Sequence, residues 1–214
     1  MDREKETLEI KFEFDGGYIM DYAKVVERFK KVFEGNCAVE ESDYPYFVPA
    51  DKEELTYLTD LYGTFNYWTQ IYLENELENL KDYKVPQVVV DFYAQYEPKD
   101  IPMTNAGIYL LDLEAIKDEN SSDVGGGVLL KYGLITIATT IGGDLVCIDL
   151  NDMKNNDPKV VIIEHWCCCS VDSVENYEDV KEIEHLISES FSEFLWKLSG
   201  DEYEDFEDTY LNED

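Results

Sequence analysis

The sequence predicts an α+β domain, with a mixed or antiparallel sheet packed against helices. Three observations carry that class. Residues 7–14 alternate strictly, with Thr7, Glu9, Lys11 and Glu13 on one side and Leu8, Ile10, Phe12 and Phe14 on the other, the pattern of a strand with one buried face. Two apolar runs, 134–141 and 145–150, flank Gly142-Gly143-Asp144, and such glycines supply the positive φ angles of a tight hairpin. The order is strand, helices, a cluster of antiparallel strands, then a packing helix. That segregation belongs to α+β folds rather than to a parallel α/β sheet.

The elements follow in order. Asp15-Gly16-Gly17 makes a turn, and Asp21 caps a helix whose Val25, Val26, Phe29, Val32 and Phe33 recur at helical spacing until Gly35-Asn36 stops it. Pro49, then Asp51 with Glu54 three residues on, starts a second helix through a capping box. Leu55, Leu58 and Leu61 form its apolar side, and Gly63 ends it. Residues 64–80 admit two readings. Phe65, Trp68, Ile71 and Tyr72 fit a helix, while the aromatic and β-branched content of 64–73 fits a strand. The strong helix formers of 74–80 favour helix.

Pro86 opens a helix with Val89, Val90, Phe92, Tyr93 and Tyr96 on its apolar side, closed by Pro98 and Pro102. Residues 107–113 form a strand and run into a short helical turn through Ile116. Residues 118–127 are expected to be a mobile loop, with Gly125-Gly126-Gly127 as a flexible hinge. After the glycine hairpin, 151–158 is a polar loop. Residues 159–166 are a third strand, which Val160-Val161-Ile162-Ile163 predicts to be buried on both faces. Asp179 with Glu182 starts a last helix, on which Ile183, Leu186, Ile187, Phe191, Phe194, Leu195 and Leu198 make one stripe.

Composition bounds function. The chain has 214 residues, 17 Lys and Arg against 49 Asp and Glu, and a net charge of −32. With 44% hydrophobic residues it has the apolar mass to fold, which a disordered acidic chain lacks. Lys and Arg are what displace counterions from phosphate backbones, so this balance argues against nucleic acid and anionic membranes as partners. It favours a cationic partner and steers encounter with one. The charged start, Met1 to Glu6, lacks the apolar core of a signal peptide. No run reaches the roughly 20 apolar residues of a membrane span. Five cysteines without a Cys-x-x-Cys pair fit a reducing cytoplasm.

Candidate chemistry is sparse. If the third strand ran on through 169, His165, Cys167 and Cys169 would project from one face. Zinc sites instead gather four ligands across a turn, so these residues read as a strand end using cysteine as a small hydrophobe. A Cys–His nucleophile needs positive charge to hold a thiolate, and the acidic field opposes it. His185 reads as a residue near the start of the last helix. No calcium loop, phosphate-binding loop or dinucleotide fingerprint is present. No cofactor, metal or catalytic residue is therefore expected. The sharpest candidate is the C-terminal segment, 199–214, with no base after Lys197. Asp201, Glu202, Glu204, Asp205, Glu207 and Asp208, interleaved with Tyr203, Phe206 and Tyr210, form a candidate partner-binding segment. Its carboxylates would take the places of phosphates on a basic groove, and its rings would supply contact area.

Residues 84–198 resemble the SUKH superfamily, which joins yeast cell-wall-assembly regulators to many bacterial immunity proteins. The resemblance rests on order and spacing. Val85-Pro86 opens the helix Val88-Val89-Val90-Asp91-Phe92-Tyr93, and Gly107-Ile108-Tyr109-Leu110-Leu111-Asp112-Leu113-Glu114-Ala115-Ile116 follows as strand and short helix. Next come the hairpin about Gly142-Gly143-Asp144, the strand 160–166, and the closing helix Ser190-Phe191-Ser192-Glu193-Phe194-Leu195-Trp196-Lys197-Leu198. Glu97-Pro98-Lys99-Asp100 stands where relatives often carry Asn-Gly-Gly, and 51–80 reads as a helical insertion.

The resemblance implies an α+β domain with no catalytic residues, and the length fits a single domain over 1–198 followed by the acidic tail. It further implies an immunity protein that binds a cognate protein toxin, in the cytoplasm to which the cysteines point. The charge then points to a cationic, nuclease-type toxin. The alternative is a non-catalytic regulatory or scaffold module that binds a host protein.

Overall fold

The computed structural model describes residues 20–36, 46–62, 83–121, 124–170 and 173–203. The expected strand 7–14, the turn 15–17, the ambiguous stretch 64–80 and the tail beyond Tyr203 lie outside the described residues.

Helices α1 (Tyr22–Asn36), α2 (Lys52–Thr59) and α3 (Gln87–Tyr96) come first, with the short strands β1 (Phe47–Val48) and β2 (Glu97–Pro98). The second unit holds β3 (Ile108–Leu110), α4 (Leu113–Asn120), α5 (Gly126–Leu130), β4 (Leu134–Thr140), β5 (Leu145–Lys154) and β6 (Asp157–Ile163). It closes with a 3₁₀ turn (His165–Cys168), α6 (Tyr177–Ile183), β7 (Glu184–Ser188) and α7 (Phe191–Ser199). Strands β3-β4-β5-β6-β7 form a five-stranded antiparallel meander, and β1-β2 a small separate ribbon. The fold is α+β, as the segregated element order predicts.

The meander divides two cores. On one face Ile108, Ile135, Ile137, Val146, Ile148, Val160, Ile162 and Ile187 meet Phe29, Phe33, Phe92, Phe191 and Phe194 from the helices. Phe92 is the hub, edge-on to Tyr22, Phe47, Tyr93 and Phe191, the geometry aromatic quadrupoles prefer. On the other face Leu134, Leu145, Cys147, Val161 and Ile163 meet Val128, Leu129, Cys168, Val174 and Val180. Burial of β6 on both sides is what its unbroken Val-Val-Ile-Ile run predicts.

Capping chemistry sets several boundaries. Asp51 accepts from the Glu53 amide at 2.7 Å, Asp112 from Ala115 at 2.8 Å and Ser190 from Glu193 at 3.1 Å, each satisfying an orphan helix donor. Buried Asn120 joins α4 to β4: Thr136 donates its amide to Asn120 at 2.9 Å and accepts from the Asn120 amide nitrogen at 2.8 Å. The β4–β5 register shifts between Thr136 and Ala138, so the side chain pairs backbone groups where the ladder is interrupted.

Five expectations are corrected. Residues 118–120 belong to α4, and the glycines open α5 instead of serving as a hinge. A Cβ at Gly126 would stand 2.6 Å from the Thr136 hydroxyl, so this glycine is there for close packing. Residues 151–158 are not a polar loop. Strand β5 runs to Lys154 and turns on Asn155 and Asn156, with φ of 55° and 63°, the left-handed pair of a primed two-residue turn that Asn tolerates. The third strand stops at Ile163 and becomes the 3₁₀ turn. The expected last helix is three elements: α6, capped by Asn176 in a box with Asp179, then β7, then α7. Finally, Glu97-Pro98, expected only to close the helix, is itself a strand paired with Phe47-Val48; Pro86 opens α3 as expected, from its N-cap.

Candidate partner-binding surface

Three residues of the predicted segment are described, and all three are fastened to the body. Asp201, at φ 55° just past α7, accepts from the Asn105 amide at 3.1 Å and also from the Asn105 side chain. Glu202 pairs with Arg28. Arg28 in turn lies 4.0 Å from the Trp196 ring centroid and donates to Ser199 and the Trp196 carbonyl, each at 3.3 Å. Tyr203 packs on Phe194, and burial pushes its phenol up. Glu204, Asp205, Phe206, Glu207, Asp208 and Tyr210 lie outside the described residues.

This root sits at one particular end of the meander. The start of β3, the end of β4, the start of β5 and the end of β6 all converge there. Asn105, which holds Asp201, stands two residues before Gly107. The Gly107 carbonyl accepts from the Ile141 amide at 2.8 Å, and the Ile141 side chain lies over Gly107, 3.5 Å from where a Cβ would stand. On the other side of the hairpin, a Cβ at Gly143 would be 3.9 Å from the His165 ring. Tail root, hairpin tip and 3₁₀ turn therefore follow one another along one edge of the molecule.

That end exposes apolar surface. Ile141 is 60% and Trp166 53% exposed, with Tyr109 on β3 at 38%. The turn that carries Trp166 is held from beneath. Asp144, buried, accepts from the His165 amide at 3.1 Å, and its same oxygen lies 3.1 Å from His165 Nδ1. The His165 ring meets Trp166 edge-on at 5.3 Å. Sequence reading placed Trp166 in a buried strand and missed this surface. The available sign was an Ile beside Gly-Gly at a hairpin tip, where no core can reach it.

Electrostatically the turn is negative. Glu164 precedes it, and no ion pair is formed by Glu164 among the described residues. Burial first, then the charges of Glu164 and Asp144, push the Cys167 thiol up. Among the described residues, several cations are engaged elsewhere: Lys99 with Glu97 at 2.7 Å, Lys154 with Glu189 at 2.6 Å, Lys197 with Glu193 at 2.7 Å. Lys159 and Lys181 bridge Glu184 at 2.9 and 3.0 Å, and Lys181 also reaches fully buried Asp149 at 3.4 Å. The excess carboxylates outside these pairs set the outward field.

In the 3₁₀ turn His165, Cys167 and Cys169 do not share a strand face, and among the described residues no group of three or more His, Cys, Asp or Glu side chains is placed to hold a metal ion. Burial pushes the Cys168 thiol up to about 12 and Cys147 higher still, the reverse of what a nucleophile needs. His185 stands on β7, paired with Ile162, rather than on a helix. No described helix is long and apolar enough to cross a membrane.

Compared with known proteins, residues 69–197 match the family described as SMI1 / KNR4 family (SUKH-1). No curated protein matches the chain.

Proposed function

The chain belongs to the SMI1/KNR4 family (SUKH-1), and from that premise we propose that it is an immunity protein, binding a cognate bacterial toxin and neutralising it by occluding the toxin's active site or substrate groove. SUKH domains are generally immunity or regulatory proteins without catalytic residues. In this reading the chain is a single cytoplasmic domain followed by its tail, with a protein as its partner and no nucleic acid or membrane bound.

The observation that carries the reading is the charge: −32 overall, with many of the cations spent on internal ion pairs. Such a surface attracts a basic enzyme and repels nucleic acid. A nuclease-type toxin is basic because it must hold phosphate, and carboxylates offered to its groove occupy the phosphate positions. Residues 204–210, with Glu204, Asp205, Glu207 and Asp208 beside Phe206 and Tyr210, are assigned to that contact. Asp201, Glu202 and Tyr203 fasten the segment to the domain.

Co-expression tests the reading. The probe is the basic toxin domain encoded nearest upstream of this chain's gene. Cells expressing both are expected to survive, and cells expressing the toxin alone to die. Equal death in both cultures contradicts the proposal, and binding without rescue would favour a regulatory role.

A further inference from the structure

We propose that the sheet end carrying Ile141 and Trp166 is the docking face, and that its occupant is a basic segment of the toxin whose Arg or Lys lies over the Trp166 ring beside Glu164. This inference rests on the immunity reading and adds the place and chemistry of the contact.

Three observations on the molecule converge there. Trp166 and Ile141 are the most exposed large apolar side chains at this end, at 53% and 60%, and Trp is the residue type most enriched in binding hot spots. Trp166 is also preorganised. The amide before it is tied to buried Asp144 at 3.1 Å, and its ring abuts His165, so little freedom remains to be lost on binding. Next, the local field is negative: Glu164 is unpaired among the described residues, and Asp144 lies beneath. An indole face in a negative field attracts a cation twice, through the ring quadrupole and through charge.

Leu186 provides the comparison. It is 54% exposed but belongs to β7, at the far edge of the five-stranded meander from β3. Exposure alone does not distinguish Leu186 from Trp166; the preorganised turn and the negative field at Glu164 do.

The test is a calorimetric titration of the full chain with the same upstream-encoded toxin domain. Trp166→Ala and Ile141→Ser are each expected to weaken binding at least tenfold, with the thermal midpoint nearly unchanged because both side chains are largely exposed. Leu186→Ser is expected to stay within twofold of the natural chain. Tight binding by the natural chain with Trp166→Ala and Ile141→Ser both within twofold overturns the docking face and leaves the immunity reading standing. Equal weakening by Leu186→Ser overturns the assignment to this end. No binding by the natural chain removes the reading on which the inference rests.

Discussion

The buried carboxylate of Asp144 holds the backbone of His165 at 3.1 Å, and so ties the β4–β5 hairpin to the turn after β6. Removing that acceptor leaves a backbone donor without its partner beneath Trp166. Asp144→Ala should destabilise the protein by about 1–3 kcal/mol, measured by urea unfolding. Asp144→Asn keeps an acceptor oxygen and should lose less than half as much. Equal losses would show that charge, not the hydrogen bond, holds the turn.

Asn120 satisfies both backbone groups of Thr136 at the point where the β4–β5 register shifts. Its truncation orphans two buried groups and leaves a void. Asn120→Ala should cost about 2–4 kcal/mol by chemical denaturation. A loss under about 0.5 kcal/mol would mean that the break in the ladder needs no side-chain partner.

Association with the toxin should slow as salt rises, because steering acts through a screening length of about 10 Å at 0.1 M ionic strength. Stopped-flow association rates should fall at least about tenfold between low salt and ~0.5 M. A rate independent of salt would place the recognition in apolar contacts alone.

Glu193 sets a pH-dependent contribution. Burial alone would raise its carboxyl, but Lys197 at 2.7 Å, together with hydrogen bonds from Ser188 and the Glu189 amide, outweighs that and holds it below its usual value. A lowered folded pKa means stability that is complete above the unfolded value, near 4.5, and is lost as pH falls through the folded one. The difference in urea midpoint between the natural chain and Glu193→Gln should therefore be full at pH 7 and shrink below that range. A difference that grows on acidification would reverse the sign of the coupling.

The fold class was legible because antiparallel pairing leaves local marks. Gly142-Gly143 announces one hairpin, and Val160 to Ile163 announces a strand buried twice. The stretch 183–198 was misread because Ile183, Ile187, Phe191, Phe194 and Leu198 satisfy helical spacing across a chain that turns strand and then helix. Ser190 with Glu193, a capping pair in the middle of the supposed helix, was the contrary sign. Asn155-Asn156 marked the second hairpin in the same way. Of the exposed end, Ile141 beside Gly142-Gly143 was legible and Trp166 was not. Whether Trp166 lies in a core or on a surface depends on where β6 stops, and that is decided by Asp144, twenty-two residues upstream. The acidic segment was legible from composition, but the fastening of Asp201 by Asn105 and of Glu202 by Arg28 needs contacts far apart in sequence.

The most direct measurement is a titration of toxin activity. The basic domain encoded nearest upstream is assayed on nucleic acid while this chain is added. The account predicts that activity falls linearly and vanishes at one equivalent. Full activity in the presence of excess chain, under conditions where the toxin alone cleaves, would contradict it.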